Sequence, residues 1–152
     1  MIIRINSEEK MKQLGQVIGA SLIGGEVIEL IGDVGAGKTT LVKGIAIGLN
    51  VAENVQSPSF TISREYNCRD NLKLAHYDFY RLVDAGIMAE EISESINDKK
   101  SVTIIEWGEI IKNILPKDKL SIKITAISDD SRQVEINNND KLTQAIEKSF
   151  SL

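Results

Sequence analysis

The sequence predicts an α/β domain with a mixed, mostly parallel central sheet. Helical patterns alternate with short apolar, β-branched runs along the chain, which is typical of strands that are buried on both faces. Two probable strands at 61–66 and 72–80 are joined only by a short polar turn, and this predicts a locally antiparallel part. At 152 residues the chain has the length of one domain, and we expect residues 1–152 to form it.

The first third of the chain predicts a helix, a strand, a loop and a second helix. Ser7 is a suitable N-cap, and two acidic residues follow it in the first turn. An apolar stripe then repeats at three- and four-residue spacing, through Met11, Leu14, Ile18 and Leu22. Gly24 and Gly25 end this helix, the run 26–31 predicts a buried strand, and a loop at 32–37 leads into a helix at 38–49.

The rest of the chain predicts strands, with short helices between them. Pro58 forces the segment 57–60 out of helical geometry. The elements that follow are strands at 61–66 and 72–80, a helix at 90–96, a strand at 101–107, a helical segment at 109–115, and strands at 119–127 and 133–136. A C-terminal helix carries Leu142, Ile146 and Phe150 on one apolar stripe.

Composition excludes several classes of function. The 18 basic and 22 acidic residues give a net charge of −4, which argues against autonomous binding of DNA or RNA through phosphates. Cys68 is the only cysteine, so an intrachain disulfide is excluded, and we interpret it as a bystander thiol. The chain shows neither a signal peptide nor an apolar run long enough for a bilayer, and we expect a cytoplasmic protein without a membrane role.

Residues 32–39 carry the clearest chemical signal. They read Gly-Asp-Val-Gly-Ala-Gly-Lys-Thr and match the P-loop pattern G-x-x-x-x-G-K-[ST] between a predicted strand and a predicted helix. The pattern predicts that the backbone around Gly32, Gly35, Ala36 and Gly37 curls about phosphate oxygens. Lys38 would reach the β- and γ-phosphates, and the Thr39 hydroxyl would bind Mg²⁺. We therefore expect ATP and Mg²⁺ as ligands and a P-loop NTPase-like, three-layer α/β/α fold.

A P-loop also needs an acidic group for the metal or the attacking water. Glu106 follows the apolar run 102–105 and would lie at the carboxyl edge of the sheet, where ligands bind in such folds. Asp78 is the competing candidate. His76, the only histidine, is either a hydrogen-bonded structural residue or part of the site, and Trp107 is either a packing residue or a stacking platform.

The P-loop alone leaves the class of enzyme open. A guanine-reading N-K-x-D motif is absent from the sequence. A small-molecule kinase remains an alternative, because Arg64, Arg69 and Arg81 could clamp a transferred phosphoryl group. The chain has only five arginines and no arginine-rich lid, which weighs against a kinase. A binding module that senses nucleotide without hydrolysing it is a second alternative.

Four segments together resemble one family. They are 32–40 (Gly-Asp-Val-Gly-Ala-Gly-Lys-Thr-Thr), 57–61 (Ser-Pro-Ser-Phe-Thr), 76–82 (His-Tyr-Asp-Phe-Tyr-Arg-Leu) and 104–109 (Ile-Ile-Glu-Trp-Gly-Glu). Their order and spacing closely resemble the bacterial TsaE family, also called YjeE, the ATPase component of tRNA threonylcarbamoyladenosine biosynthesis. The resemblance extends from about Ile5 to Ile136.

This resemblance implies a slow ATPase that is modulated by the partner proteins TsaB and TsaD and reaches tRNA only through their complex. It implies that Lys38 and Thr39 handle phosphates and Mg²⁺ with Thr40 beside them, and that Glu106 is the second residue on the metal side. Ser57, Ser59 and Thr61 would belong to a switch-like loop near the γ-phosphate. Ser59 stands where the family often has threonine, so the hydroxyl is kept.

The resemblance also places the adenine end of the nucleotide near the start of the first helix and the late strands. Ser7 and Arg132 are the positions that we expect there. Beyond Ile136 the chain matches no pattern of the family, and we interpret residues 142–150 only as a packing or docking helix.

Overall fold

The computed structural model describes residues 1–58, 61–84, 86, 88–137 and 140–150. Its strands are β1 (Ile2–Ile5), β2 (Val27–Ile31), β3 (Ser63–Asn67), β4 (Lys73–Asp78), β5 (Ser101–Glu106), β6 (Leu120–Ala126) and β7 (Arg132–Ile136). Its α-helices are α1 (Glu8–Ser21), α2 (Lys38–Gly48), α3 (Met88–Asn97) and α4 (Asp140–Phe150), with 3₁₀ turns at Arg69–Asn71 and Gly108–Ile111. None of the helices in this part of the chain combines the length and apolar character that crossing a membrane requires.

The strands form one mixed sheet in the order β1-β7-β6-β2-β5-β4-β3. The four central strands, β6, β2, β5 and β4, run parallel to one another. Antiparallel pairs lie at both edges, β3 with β4 on one side and β7 with β6 and β1 on the other. The predicted mixed sheet is confirmed. The antiparallel part extends further than the sequence indicated, because β6 and β7 also form a hairpin.

Helices cover both faces of the sheet, so the predicted three-layer arrangement is confirmed. Apolar residues of α1, α2 and α4 pack with one set of strand side chains, and residues of α3 and of the turn at Gly108–Ile111 pack with the other. Side chains alternate along each strand. On β5, Ile104 accordingly belongs to the core beneath α1 and α2, whereas Ile105 belongs to the core beneath α3.

The first helix begins as its sequence predicts. The Ser7 hydroxyl accepts a hydrogen bond from the backbone N–H of Lys10 at 3.1 Å and caps α1. The stripe of Met11, Leu14 and Ile18 is buried against the sheet. A buried stripe of this kind is what keeps an amphipathic helix attached to a sheet.

Two elements differ from the prediction. The short edge strand β1 was not predicted, since its four residues gain their stability from pairing with the distant β7. The helical segment predicted at 109–115 is wrong, because only a 3₁₀ turn forms at Gly108–Ile111. Trp107 in the left-handed region and Pro116 bound a stretch too short to offset the cost of nucleating an α-helix.

Helices α1 and α2 pack backbone against backbone along a glycine seam, formed by Gly15 and Gly19 of α1 and by Gly44 and Gly48 of α2. A Cβ atom at Gly44 would lie 2.2 Å from the carbonyl oxygen of Lys12, and one at Gly19 would lie 2.2 Å from that of Ile45. The contacts run in the same direction along both helices, so the helices are parallel. Their first turns therefore lie side by side.

The glycine seam predicts that a glycine-to-alanine substitution destabilises the protein, although the same substitution usually stabilises a helix. Replacing a helical glycine by alanine ordinarily stabilises a helix by about 1 kcal/mol. Gly44→Ala should instead lower the free energy of unfolding by about 1–3 kcal/mol, because the new methyl group overlaps a backbone oxygen. Urea denaturation followed by circular dichroism measures the change, with Gln13→Ala on the exposed side of α1 as the control. A Gly44→Ala protein at least as stable as the wild type would contradict the seam.

Candidate active site

The loop at 32–37 joins the end of β2 to the start of α2. Gly37 has a φ of 114° immediately before the helix, a left-handed conformation that favours glycine. Residue 32 must also be glycine, since a Cβ there would lie 2.8 Å from the carbonyl oxygen of Ile124. The N-terminus of α2 has no side-chain cap. Its first backbone N–H groups and the positive end of the helix dipole are thus suited to bind an anion.

Lys38 is held at the mouth of this loop. Its side chain is buried, and Nζ donates a hydrogen bond to the carbonyl oxygen of Gly32 at 2.6 Å. The same nitrogen lies 3.8 Å from Oε1 of Glu106 and 4.3 Å from the centre of the Trp107 ring. The structure therefore joins the predicted lysine to the predicted acidic residue in one ion pair.

Asp78 and Glu106 lie side by side at the carboxyl ends of two parallel strands. They are directly paired in the register of β4 and β5 and are 6% and 3% exposed. Oδ1 of Asp78 accepts a hydrogen bond from the backbone N–H of Tyr80 at 3.0 Å, so part of this carboxylate holds the turn that follows β4. Both candidates thus lie at the edge where the P-loop begins.

His76 belongs to the same cluster. It is fully buried on β4, and its Nε2 lies 2.6 Å from Oε2 of Glu106. The carboxylate of Glu106 therefore lies between the imidazole and Lys38. His76 is hydrogen-bonded, and its partner is the acidic residue of the site. Whether it is only structural or part of the site was left open by the sequence, and its role in the site stays a prediction.

Trp107 packs against neighbouring side chains, and its role as a stacking platform stays a prediction. Its ring packs against Tyr80, with 4.9 Å between the ring centres, and also faces the ammonium group of Lys38. The residue has a φ of 57°. This left-handed backbone turns the chain sharply at the end of β5, beside the P-loop lysine.

The oxygen donors near Lys38 fit a magnesium ion. Magnesium prefers hard oxygen ligands and is usually bound by one or two protein groups together with phosphate oxygens. The Thr39 hydroxyl and the carboxylate of Glu106, with Asp78 next to it, are donors of this kind. No cluster of three His, Cys, Asp or Glu side chains suited to a metal ion occurs among the described residues.

A cavity of about 540 Å³ adjoins the P-loop on the side of α1. Its walls are residues 35–40 of the loop and α2, the start of α1 with Ser7, and the turn between β6 and β7 with Arg132. This volume is within the range of small-molecule pockets. The structure thus brings together the two positions that were expected at the adenine end and the phosphate loop.

Arg132 ties the turn between β6 and β7 to the P-loop. Its Nε donates to the carbonyl oxygen of Ala36 at 3.0 Å, and one terminal nitrogen donates to carbonyl oxygens of Ser128, Asp129 and Ser131. The guanidinium group thereby holds the wall of the cavity in place.

Several residues that line the cavity were not predicted as site residues: Asn6 before α1, Glu8 and Met11 in its first turns, and Asp129 and Asp130 in the turn between β6 and β7. The polar run at 128–131 separates two predicted strands. Recognising these strands as a hairpin would have placed its turn beside Arg132.

The switch-like loop is only partly described. Ser57 is exposed, and the Thr61 hydroxyl donates to the carbonyl oxygens of Ser63 at 3.1 Å and of Pro58 at 3.3 Å. Ser59 lies outside the described residues. Neither Ser57 nor Thr61 lines the cavity at the P-loop, so their role stays a prediction.

Arg69 lies away from the P-loop, so it does not belong to an arginine clamp of a kinase. Arg69 donates from one terminal nitrogen to the carbonyl oxygens of Gly19, Ala20 and Leu22 and caps the end of α1. Because α1 has 14 residues, this end lies roughly 20 Å from the helix start at the cavity. Arg64 and Arg81 lie on the edge strand β3 and in an exposed position after β4, respectively.

Cys68 fits its interpretation as a bystander. Burial raises the pKa of its thiol above the usual value, and Sγ lies 3.7 Å from the carbonyl oxygen of Tyr66. A thiol held in its protonated form is a poor nucleophile.

Comparisons with known proteins converge on one family. The family model for the threonylcarbamoyl adenosine biosynthesis protein TsaE matches residues 5–134. A tRNA threonylcarbamoyladenosine biosynthesis protein TsaE of Bacillus subtilis (strain 168) is 37% identical over 132 residues, which are 86% of this chain and 81% of that protein. The protein of the same name from Treponema pallidum (strain Nichols) is 34% identical over 130 residues, covering 86% of this chain and 95% of that one.

A solved structure agrees with these relatives. The crystal structure of Bacillus subtilis YdiB superposes with a TM-score of 0.75 at 31% sequence identity. The superposition covers 99% of this chain and 94% of YdiB. The likeness thus includes the whole sheet and the helices that carry the site.

Proposed function

The chain belongs to the TsaE family, and on this premise we propose that it is an ATPase that binds Mg-ATP and hydrolyses it in support of tRNA threonylcarbamoyladenosine biosynthesis. The observation that carries the proposal is the buried contact of 3.8 Å between Lys38 of the P-loop and Glu106 at the end of β5. A phosphate-binding lysine beside a strand-end carboxylate is the arrangement that P-loop hydrolases use.

ATP binding follows from the form of the site. The backbone N–H groups at the start of α2 would hold the phosphates, and Lys38 would exchange its hydrogen bond to Gly32 for the β- and γ-phosphate oxygens. The nucleoside would extend into the cavity between Ser7 and Arg132. The arginine maintains the wall of that cavity through its bond to Ala36.

Hydrolysis needs charge neutralisation and an oriented water molecule. Bound Mg²⁺ would neutralise charge on the phosphates, and the Thr39 hydroxyl and Glu106 are the residues that would hold it. Lys38 stabilises negative charge on the transferred phosphoryl group. Glu106 orients the water from the carboxyl edge of the sheet, and Asp78 beside it is the alternative residue for this task.

Partner proteins complete the proposed activity. The names of the relatives place them in tRNA threonylcarbamoyladenosine biosynthesis, and we extend that role to this chain. The net charge of −4 argues against autonomous tRNA binding through phosphates. We therefore propose that a TsaB–TsaD complex contacts the tRNA and modulates hydrolysis. The involvement of Arg69 in capping α1 makes a kinase the weaker alternative.

Nucleotide binding can be tested through the only tryptophan of the chain. ATP should draw Lys38 away from the Trp107 ring and change the tryptophan emission, because the cation now lies 4.3 Å from the ring centre.

Lys38→Met should lower ATP affinity about 10- to 100-fold, since a charged hydrogen-bond donor to phosphate is lost. Isothermal calorimetry measures the affinity. Lys43→Met, on the exposed face of the same helix, is the control. Unaltered ATP affinity in Lys38→Met would refute the P-loop assignment.

Replacing Glu106 should slow ATP hydrolysis much more than it weakens ATP binding. Glu106→Gln should reduce phosphate release by about 100-fold or more while the Kd for ATP changes only a few-fold, because the carboxylate acts on the metal side and on the water. Phosphate release and calorimetry give the two quantities. Glu109→Gln is the matched control, since Glu109 is exposed three residues further along. If turnover in Glu106→Gln stays at the wild-type rate, the role moves to Asp78.

A further inference from the structure

His76 is a buried polar side chain that the proposed reaction has not yet used. The residue is fully buried in the sheet, and its Nδ1 has no hydrogen-bond partner among the described residues. A buried nitrogen without a partner destabilises the folded state. An apolar residue of similar size would fill the same space without this cost. Such a cost is expected at a functional site and not in a purely structural core.

The register of the sheet places His76 and Glu106 on the same face, within hydrogen-bond distance of each other. His76 pairs with Ile104 across the parallel strands β4 and β5, and Glu106 follows two residues later on the same face. Nε2 of the imidazole thereby reaches Oε2 of Glu106 at 2.6 Å. Since a carboxylate oxygen accepts, Nε2 carries the proton and donates it. Both residues lie on central strands, so the contact is rigidly held.

The two oxygens of Glu106 have different partners. Oε2 is bound by His76, and Oε1 faces Lys38 at 3.8 Å. We propose that His76 is a positioning residue, whose N–H holds Oε2 so that Oε1 remains directed at the P-loop and the metal–phosphate side. This proposal rests on the proposed function and adds a residue to its machinery.

The physical reason for such a residue is competition for the carboxylate. A glutamate has three rotatable bonds, and the Lys38 ammonium beside it stands on a side chain with four methylene groups. Without the imidazole, Glu106 could turn both oxygens to Lys38 and form a closer ion pair. That pair would remove Glu106 from the metal side and would hold the lysine that the phosphates need. The hydrogen bond from His76 to Oε2 prevents Glu106 from forming this closer ion pair with Lys38.

A pair of amide variants tests the donor itself. In His76→Gln the side-chain N–H lies near the position of Nε2 and can still reach Glu106, whereas in His76→Asn it lies near Nδ1 and cannot. Both variants bury an amide, so their costs to folding are similar. Thr103→Val is the control, because it removes a partly buried 2.7 Å hydrogen bond to Ser95 on the opposite face of the same sheet.

Two readouts are measured for each variant. One is kcat and KM for phosphate release from Mg-ATP. The other is the Mg²⁺ concentration that half-saturates binding of the non-hydrolysed analogue AMP-PNP, followed by Trp107 emission. His76→Asn should lower kcat and raise the Mg²⁺ requirement by about 10- to 100-fold, with KM for ATP within about 3-fold of wild type. His76→Gln should return both quantities to within about 3-fold. Thr103→Val should lower thermal stability and leave both unchanged.

The outcomes separate the two proposals. A wild-type Mg²⁺ requirement in His76→Asn, or equal impairment in His76→Asn and His76→Gln, would overturn the positioning role. Wild-type protein that releases no more phosphate than Lys38→Met would instead contradict the proposed ATPase. In that case the Mg²⁺ dependence of AMP-PNP binding still tests His76, because it requires no turnover.

Discussion

Backbone contact between α1 and α2 is the constraint on which the site depends. The glycine seam brings the helix axes so close that a methyl group at Gly19 or Gly44 would meet a carbonyl oxygen. Because the helices are parallel and in register, the capped start of α1 lies beside the P-loop at the start of α2. The cavity between Ser7 and Arg132 exists because of this alignment, since its two helical walls are the first turns of these helices.

The parallel centre of the sheet supplies the other half of the site. Strands β4 and β5 end together, so Asp78 and Glu106 lie at the same edge of the sheet, where the loop after β2 begins. Glu106 then lies between a lysine, which forms an ion pair with Oε1, and a histidine, which donates a hydrogen bond to Oε2. The groups proposed for ATP binding thus come from the P-loop and α2, and the groups proposed for hydrolysis come from the strand ends. This separation is the reason that we expect ATP affinity and turnover to respond differently to substitutions.

The parts of the site that could be predicted are those that depend on residues close together in the sequence. The P-loop follows from its glycines and Lys38, and Glu106 follows from the apolar run before it, because a buried strand delivers its last side chain to the sheet edge. The contact between His76 and Glu106 could not be derived, since it depends on the register of two strands 30 residues apart. The edge strand β1 was missed for the same reason. The four glycines of the seam are visible in the sequence, but their close approach requires knowledge that α1 and α2 are neighbours.

The central claim is that the P-loop and Glu106 together form an ATP hydrolysis site whose turnover serves a larger assembly. The most direct measurement is phosphate release from Mg-ATP by the purified chain, alone and with a matched TsaB–TsaD pair. The account predicts slow release by the chain alone and faster release with the pair. Release that stays at background in both conditions, despite ATP binding by calorimetry, would contradict it.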